Sequence, residues 1–474
     1  MSDNKHVSLK LNIMYQFFYQ VLTIIVPLLT APYISRILGV DGVGEYSYTF
    51  SIAHYFVLFS MLGVLNYGNR EIARVKDNFY DLCITFWGIY SVQLLFGILV
   101  IIFYFIYIII FCNHYKVVFF CQCLYVFTGI LDISWFYFGI EHFKLTTSIS
   151  AVNKIITTIL VFTLVKNANH VYIYTLIIAT GALCNNIFYW LILKKYVSFE
   201  YFSFKNYKRH IKPILILFIP VIAVSIYKYM DKVMLGTMLS TFEVGIYESA
   251  EKFINLPMCV IAALGTVMLP RITNMKTNVN GNEIKKYNFI SMFLVMFLSI
   301  GMVFGMAGIT DIFIPWIYGA DFIKSTNVLF VLLPSIIFVS WANVIRTQCL
   351  LPNKRDLGYC VSVISGAVIN MIINFAFIPK FGAIGAALGT LIAEILVCIV
   401  QSIMCRKDMD FLLYFKYSFP FLISAVLMFL IISNVQLISI AITIITRILI
   451  GGIIYLLMSF WFIKKVYTKF KEWR

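Results

Sequence analysis

The sequence predicts an all-α integral membrane protein with about fourteen transmembrane helices, arranged as two six-helix lobes plus two C-terminal helices. Three observations lead to this fold class. The 474 residues are 61% apolar and only 12% charged, whereas soluble domains are about 45–50% apolar and about 25% charged. Apolar runs long enough to cross a bilayer fill nearly the whole chain. A short motif also recurs in two of these runs, which indicates an internal duplication.

Each apolar run is predicted to be a helix, because an open strand in lipid would leave its backbone groups without hydrogen bonds. The longest polar gap, Lys194–Lys212, is too short to hold a soluble domain. The predicted spans are 13–34, 46–66, 82–111, 117–138, 145–165, 171–193, 213–239, 244–269, 288–310, 323–345, 357–378, 383–404, 412–433 and 437–463.

The charge distribution predicts the orientation of these spans. The net charge is +16, and most Lys and Arg residues fall in alternate loops, counted from the N-terminus. Loops with this excess of positive charge face the cytoplasm. Both termini are therefore expected inside, which requires an even number of spans. The positive charge indicates membrane orientation, so no nucleic-acid partner is expected.

The repeated motif suggests where the two lobes begin and end. Leu-Gly, a gap and Val-Gly-x-Tyr occur in residues 38–46 and again in 235–247, and the Val-Gly-x-Tyr parts are 201 residues apart. We expect an N-lobe (1–193), a basic cytoplasmic linker (194–212) and a C-lobe (213–404), followed by residues 405–474 with the last two helices and a basic tail. The two lobes are expected to superpose with Gly44 on Gly245.

Two charged stripes lie inside the apolar runs on either side of a predicted turn at Leu239–Glu243. Each has charges at i, i+3 and i+4, which places them on one helix face. Such charges cost at least about 2.5 kcal/mol each in a bilayer and usually face a bundle interior or a wet cavity. An antiparallel hairpin would bring the stripes level, so they form either interhelical ion pairs or a substrate or proton site. The residues are Lys228, Asp231 and Lys232, then Glu248, Glu251 and Lys252.

Five further charged residues are candidates for the wall of a transport cavity. Asp132 and Lys154 lie in neighbouring predicted spans and could form an ion pair or face the cavity, or the Lys154 side chain could extend to the membrane interface. Arg36 and Arg346 lie at span ends, where arginine often anchors a helix at the interface. Arg447 lies deep in the last span and needs an anionic partner, either a lipid phosphate or a carboxylate such as Glu394. Candidates for stacking on sugar rings are Tyr227, Tyr229 and Trp341.

No pattern of enzyme chemistry or cofactor binding accompanies these charges. The ten cysteines include no CxxC pair and the six histidines are scattered, so neither a metal nor another cofactor is expected. The cysteines are predicted to be small packing residues. A membrane polymerase or glycosyltransferase is the rival class, but the predicted outward loops are too short to match the large catalytic loop of such enzymes.

Several stretches resemble the polysaccharide flippases of the Wzx type. The resemblance is carried by Pro27–Gly39 with Gly42–Tyr46, by Asn66–Ala73, and by Asp231–Gly236 with Val244–Tyr247. It covers nearly the whole chain. Many members of this family have twelve helices, whereas this sequence predicts fourteen, as in the lipid II flippase branch.

The resemblance implies both a fold and a function. The fold is that of the multidrug/oligosaccharidyl-lipid/polysaccharide exporter superfamily. The function is transport of an undecaprenyl-pyrophosphate-linked oligosaccharide, of O-antigen or capsule type, across the bacterial inner membrane by alternating access, with ion coupling as an option. Expected partners are this substrate, membrane lipids, and a polymerase and chain-length regulator of the same pathway. A multidrug or lipid II exporter of the same superfamily is the alternative function.

Overall fold

The computed structural model describes residues 9–112, 114–202, 206–278 and 281–471. Over these ranges the chain is helical and contains no β-strand, which confirms the predicted all-α class. The chain ends expected in the cytoplasm, residues 1–8 and 472–474, lie outside the described residues. The helices are α1 Leu9–Met61, α2 Val64–Val75, α3 Phe79–Phe111, α4 Lys116–Leu131, α5 Ser134–Gly139, α6 Phe143–Leu164, α7 Val171–Leu193, α8 Lys208–Met238, α9 Thr241–Asn278, α10 Gly281–Tyr318, α11 Ile323–Leu332, α12 Ser335–Ile345, α13 Asp356–Phe381, α14 Ala383–Met404, α15 Phe411–Ser433 and α16 Ile440–Lys471.

The protein crosses the membrane many times. Among the described residues, eleven helices are long and apolar enough to span a bilayer, or twelve if the bent pair Ala320–Leu332 and Ser335–Leu350 forms one span. The predicted number of fourteen is therefore not confirmed and stays a prediction. Part of the difference arises at the N-terminus, where two predicted spans fall within one continuous stretch, Ile25–Val75.

A single backbone break replaces the loop expected between the first two spans. The helix α1 runs for 53 residues, and inside it Gly39 has φ 69° and ψ −176°. Glycine adopts a positive φ at little cost because it has no Cβ. Nothing lies within 4 Å of the place where a Cβ would be, so conformation rather than space requires glycine here.

Two compact units make up the chain, Met1–Val233 and Met234–Arg474. The boundary lies near the end of α8 and not in the expected linker, 194–212. The reason is that the first half of α8 packs on the first unit, where Ile214 and Phe218 are part of the hydrophobic core. The expected lobe boundaries are inferred from the internal repeat rather than from packing, and they stay a prediction.

A helix in each unit is broken at an equivalent position. Leu131 ends α4 and Ser134 begins α5. Leu332 ends α11 and Ser335 begins α12. Each of these residue pairs is 201 positions apart, which is the offset of the sequence motif. This agreement supports the duplication, although superposition of the lobes stays a prediction.

An aromatic core fixes the break between α4 and α5. The side chains of Trp135, Phe136 and Tyr137 are fully buried. The Trp135 ring stacks on Phe86 of α3, with ring centroids 5.4 Å apart. It also packs so tightly on α2 that a Cβ at Gly68 would overlap its ring. Residues at the start of α5 are therefore held in a defined position on the first unit.

Candidate functional site

The two charged stripes predicted to meet across a hairpin belong to different compact units. Residues 228–232 of α8 precede the unit boundary, and residues 248–252 of α9 follow it. A turn separates the helices at Leu239 and Ser240, as the sequence predicts. The expected alignment of the two stripes across the hairpin stays a prediction.

A polar cavity of about 630 Å³ lies inside the first unit. Residues of α1, α4, α5, α6 and α7 line it. Polar groups inside membrane helices are costly and usually serve a function, and this volume is that of a small-ligand site. The polar lining residues are Thr23, His54, Tyr125, Thr128, Asp132, Ser134, Thr146, Thr147, Ser150, Asn185, Asn186 and Tyr189.

Asp132 contributes a carboxylate to this cavity because α4 ends there. One carboxylate oxygen accepts a hydrogen bond from the backbone N–H of Ser134, at 2.8 Å. The side-chain amide of Gln93 donates to the Asp132 carbonyl oxygen at 2.9 Å, and the Gln93 carbonyl oxygen accepts from the indole N–H of Trp135 at 3.1 Å. Gln93 is fully buried, so this network fixes Asp132 at the cavity wall.

An aromatic cluster connects the cavity to the charged stripe of α8. His54 shares a hydrogen bond with the Tyr125 hydroxyl at 2.9 Å, and its ring centroid lies 4.2 Å from that of Tyr229. The ammonium groups of Lys228 and Lys232 each lie 5.6 Å from the centre of the Tyr229 ring. This distance allows a cation–π attraction. Two predicted site cations are thereby placed beside the cavity residue His54.

Burial differs along this stripe. The side chain of Lys228 is exposed, whereas Asp231 is 2% exposed and Lys232 is 7% exposed. Tyr229 is predicted to stack on sugar rings, but one face of its ring already packs against His54. The Tyr227 side chain lies outside the described residues. In the second unit, the third stacking candidate, Trp341, donates its indole N–H to Ser402 Oγ at 3.2 Å.

The remaining candidates of the first unit lie apart from Asp132. Lys154 is half-buried on α6, about one turn beyond the cavity residue Ser150. Of the alternatives for Lys154, an ion pair with Asp132 is not found among the residues that the structure describes. Arg36 is exposed on α1, about one turn before the break at Gly39, a position that suits an interface anchor.

In the second unit, the stripe on α9 forms an ion pair within its own helix. The ammonium group of Lys252 lies 3.2 Å from a carboxylate oxygen of Glu248. The third member, Glu251, is half-buried. An intrahelical pair of this kind contributes about 0.3–0.5 kcal/mol when exposed. This pair lowers the net charge that the stripe presents.

Arg346 is the residue at which a π-helical turn, Arg346–Leu350, begins after α12. Its guanidinium donates to the side-chain oxygen of Asn343 at 2.7 Å and lies 5.7 Å from the centre of the Tyr359 ring. Its Nε is buried and has no hydrogen-bond acceptor among the described residues. A buried donor without an acceptor costs about 1–3 kcal/mol, so Arg346 stays a candidate for the substrate site.

Arg447 is fully buried and fully paired in the second unit. Its guanidinium lies 3.0 Å from Asp311 Oδ1. It also donates to the carbonyl oxygens of Gly308 at 2.8 Å, Val435 at 2.9 Å and Ser433 at 3.1 Å. The structure thus pairs Arg447 with Asp311 rather than with Glu394. This network joins α16 to α10 and to the end of α15, which is a structural role.

Sequence reasoning missed several residues of the first-unit cavity. Thr146, Thr147 and Ser150 lie in a polar stretch at the start of α6. Asn185 and Asn186 form a polar pair in α7, and His54 lies in an apolar part of α1. The helical spacing of Thr146, Ser150 and Asn153 on α6 is a signal that could have identified one wall. Gln93 gave no such signal, because its role depends on contacts with distant residues.

Comparisons with known proteins place the chain among transporters of polysaccharide pathways. Residues 9–276 match the family described as "Polysaccharide biosynthesis protein". A Shigella dysenteriae protein named "Putative O-antigen transporter" is 23% identical over 406 residues, which cover 82% of this chain and 98% of that protein.

Solved structures share the fold. A lipid II flippase, MurJ, in an inward closed conformation superposes with a TM-score of 0.78 at 16% identity, covering 96% of this chain and 99% of that one. An inward-facing MATE multidrug transporter of the MOP superfamily gives a TM-score of 0.57 at 14% identity, covering 81% of this chain and 97% of the other. The predicted resemblance to Wzx-type flippases is confirmed, and because the family match spans more than half of its residues, the chain belongs to the polysaccharide biosynthesis protein family.

Proposed function

We propose that this protein is a flippase that moves undecaprenyl-pyrophosphate-linked oligosaccharide repeat units, of O-antigen or capsule type, across the bacterial inner membrane. The observation that carries the proposal is the relative named as an O-antigen transporter, which aligns over 98% of its own length. A shared fold with a lipid II flippase supports the same class of cargo, a glycan on a lipid carrier.

The proposed mechanism is alternating access. The lipid tail remains in the bilayer, while the pyrophosphate and sugars pass through a hydrophilic route in the protein. Lys228 and Lys232 offset the negative charge of the pyrophosphate, and both already lie against Tyr229 beside a polar cavity. The hydroxyl and amide side chains that line this cavity form hydrogen bonds with the sugar hydroxyls.

Transport is also proposed to be coupled to an ion, and Asp132 is the best candidate for the group that binds this ion. A carboxylate in a polar cavity can bind a proton or a cation in one conformation and release it in another. Asp132 is held at the cavity wall by the Ser134 N–H and by Gln93. In the second unit, Glu251 is the corresponding candidate, because it is a half-buried carboxylate on the charged face of α9.

A deletion strain tests the proposed function. We expect lipid-linked oligosaccharide to accumulate on the cytoplasmic side of the inner membrane while its synthesis continues, and surface glycan to be lost. A plasmid copy of the wild-type gene should restore the surface glycan, and an empty plasmid serves as the control.

Other results would point to other classes. Single unpolymerised repeat units on the outer surface would indicate a polymerase. Changed resistance to cationic drugs, with normal glycan, would indicate a multidrug exporter. Arrest of peptidoglycan synthesis with normal surface glycan would indicate a lipid II exporter.

A further inference from the structure

Two cysteines and one aspartate come together in the second unit, away from the residues assigned to transport. Cys349 lies on the π-helical turn after α12, Cys405 directly follows α14, and Asp408 lies three residues further on. Their thiol and carboxylate ligand atoms all lie within 4.8 Å of one another. The two cysteines are 56 residues apart in the sequence, so spacing alone did not reveal the cluster.

One distance between ligand atoms already has the value found in a zinc centre. The thiol of Cys349 donates to Asp408 Oδ2 at 3.7 Å. Ligand atoms bound to one Zn²⁺ at about 2.0–2.3 Å in tetrahedral geometry are about 3.5–3.8 Å apart. Zinc held by three protein ligands takes a water molecule in the fourth position. The cluster thus needs only small side-chain rotations to surround an ion.

Backbone hydrogen bonds hold both sides of the cluster in place. The Asp408 N–H donates to the Cys405 carbonyl at 2.9 Å, and the Cys405 N–H donates to the Gln401 carbonyl at 3.1 Å. On the other side, the Arg355 N–H donates to the Leu350 carbonyl at 2.9 Å. The ligands are therefore attached to two closed turns, which reduces the entropy lost when an ion binds.

Burial and charge both suit a divalent cation. Cys349 is 1% exposed and Cys405 is 0% exposed, while the Asp408 side chain is 35% exposed and gives access from solvent. Arg355 lies 2.7 Å from Asp408 Oδ2, as an outer partner of a ligating carboxylate does. Two thiolates, one carboxylate and one guanidinium carry a net charge of −2, which a divalent ion neutralises.

We propose that Cys349, Cys405 and Asp408 form a binding site for a thiolate-preferring divalent cation, Zn²⁺ in the first instance. The ion joins the end of the bent α11–α12 pair to the connection between α14 and α15. The positive-inside pattern predicts this face to be cytoplasmic, where thiols stay reduced and clustered cysteines more often bind metal than form disulfides.

Cobalt titration of the purified, metal-free full chain in detergent tests the site. Co²⁺ should bind at one equivalent and give a thiolate-to-cobalt charge-transfer band with the visible absorption of tetrahedral Co²⁺, and Zn²⁺ should remove both. Cys405→Ser should abolish the charge-transfer band at this stoichiometry. Cys83→Ser, which changes a buried cysteine of the first unit, should leave the spectrum unchanged.

A milder variant keeps the test valid if Cys405→Ser does not fold. Asp408 is partly exposed, and Asp408→Asn should fold while weakening Co²⁺ binding by at least about 10–100-fold, the loss seen when only an outer partner of a ligand is changed. Asp356→Asn, an exposed acid nearby, should bind as the wild type does. The proposal is overturned if the wild type shows no charge-transfer band, or if the band persists in Cys405→Ser. It is also overturned if the pair only forms a disulfide with diamide and takes up no metal. None of these readouts depends on transport.

Discussion

At the scale of single residues, the two deeply placed charge centres serve different purposes. Arg447 meets one carboxylate and three backbone carbonyls, so its donors are used within the second unit. Asp132 lines a polar cavity and keeps part of its carboxylate available. The first arrangement stabilises packing, and the second leaves a group free to act on a ligand.

We predict that Arg447→Met strongly destabilises the protein. The change leaves buried carbonyls without a donor, and removing one partner of a buried ionic network costs about 3–5 kcal/mol. Asp311→Asn should also destabilise the protein, because it leaves the buried Arg447 charge without its anionic partner. The effect should be smaller than that of Arg447→Met, because three backbone carbonyls still accept from the guanidinium. Thermal unfolding of the detergent-purified variants measures both.

The matched variant for Arg447 is Arg447→Lys, which keeps the charge but lacks the planar fork of donors. It should lie between the wild type and Arg447→Met. A melting temperature for Arg447→Met equal to that of the wild type would contradict the structural role. So would an Asp311→Asn variant that is stable but does not export glycan.

We predict that Asp132→Asn reaches the membrane at a near-normal level but does not export glycan. The amide oxygen of asparagine can still accept the hydrogen bond from Ser134, so folding is preserved, while the exchangeable charge is lost. Membrane protein level and surface glycan are measured together. Asp77→Asn changes an exposed acid and should be normal in both. Normal glycan in Asp132→Asn would remove Asp132 from ion coupling.

Asp231→Asn should behave differently from Asp132→Asn. Asp231 is 2% exposed and shares a helix face with Lys228 and Lys232, so its loss leaves positive charge uncompensated in a setting of low dielectric constant. We therefore predict a lowered membrane level as well as lowered glycan. Glu251→Gln is the comparison in the second unit. Normal level and normal glycan in both variants would exclude the charged stripes from the mechanism.

At the scale of helices, close backbone approach explains why α8 packs on the first unit. A Cβ at Gly63 would overlap the carbonyl oxygen of Ile214 and would lie 2.9 Å from the amide nitrogen of Phe218. Backbone atoms cannot move aside as a flexible side chain can. Gly63 is therefore required for contact between the start of α2 and the start of α8.

We predict that Gly63→Ala destabilises the protein by about 1–3 kcal/mol, the usual cost of overpacking. The control is Gly452→Ala on α16, where nothing lies within 4 Å of the added Cβ. Alanine is the better helix former by about 1 kcal/mol, so this variant should be as stable as the wild type or slightly more stable. Equal melting temperatures for both variants would contradict the packing of α8.

At the scale of the whole molecule, the predicted topology places both termini in the cytoplasm. Reporter fusions that are active only outside the cytoplasm should be active after Gly39, Cys112, Ser240 and Val435, and inactive at the C-terminus. The structure supports these positions, because each lies at a helix break or between two helices. An inactive fusion at one of the first four sites would show that the topology is wrong at that point.

The sequence predicted features that depend on composition and on neighbouring residues. Apolar runs predicted the all-α membrane class, and the repeated motif has the same offset as the helix breaks at Ser134 and Ser335. Features that depend on distant contacts could not be predicted. The partner of Arg447 is Asp311, which lies 136 residues away. Likewise, Gly63 and Ile214 come together only through packing.

A flippase moves a lipid-linked oligosaccharide from one leaflet of the membrane to the other. The most direct measurement uses purified protein in sealed vesicles with undecaprenyl-pyrophosphate-linked repeat units, and an impermeant glycosidase to follow the fraction in the outer leaflet. We expect protected substrate to move to the accessible leaflet with the wild type, and much more slowly with Asp132→Asn. Accessibility equal to that of protein-free vesicles would contradict the proposed function.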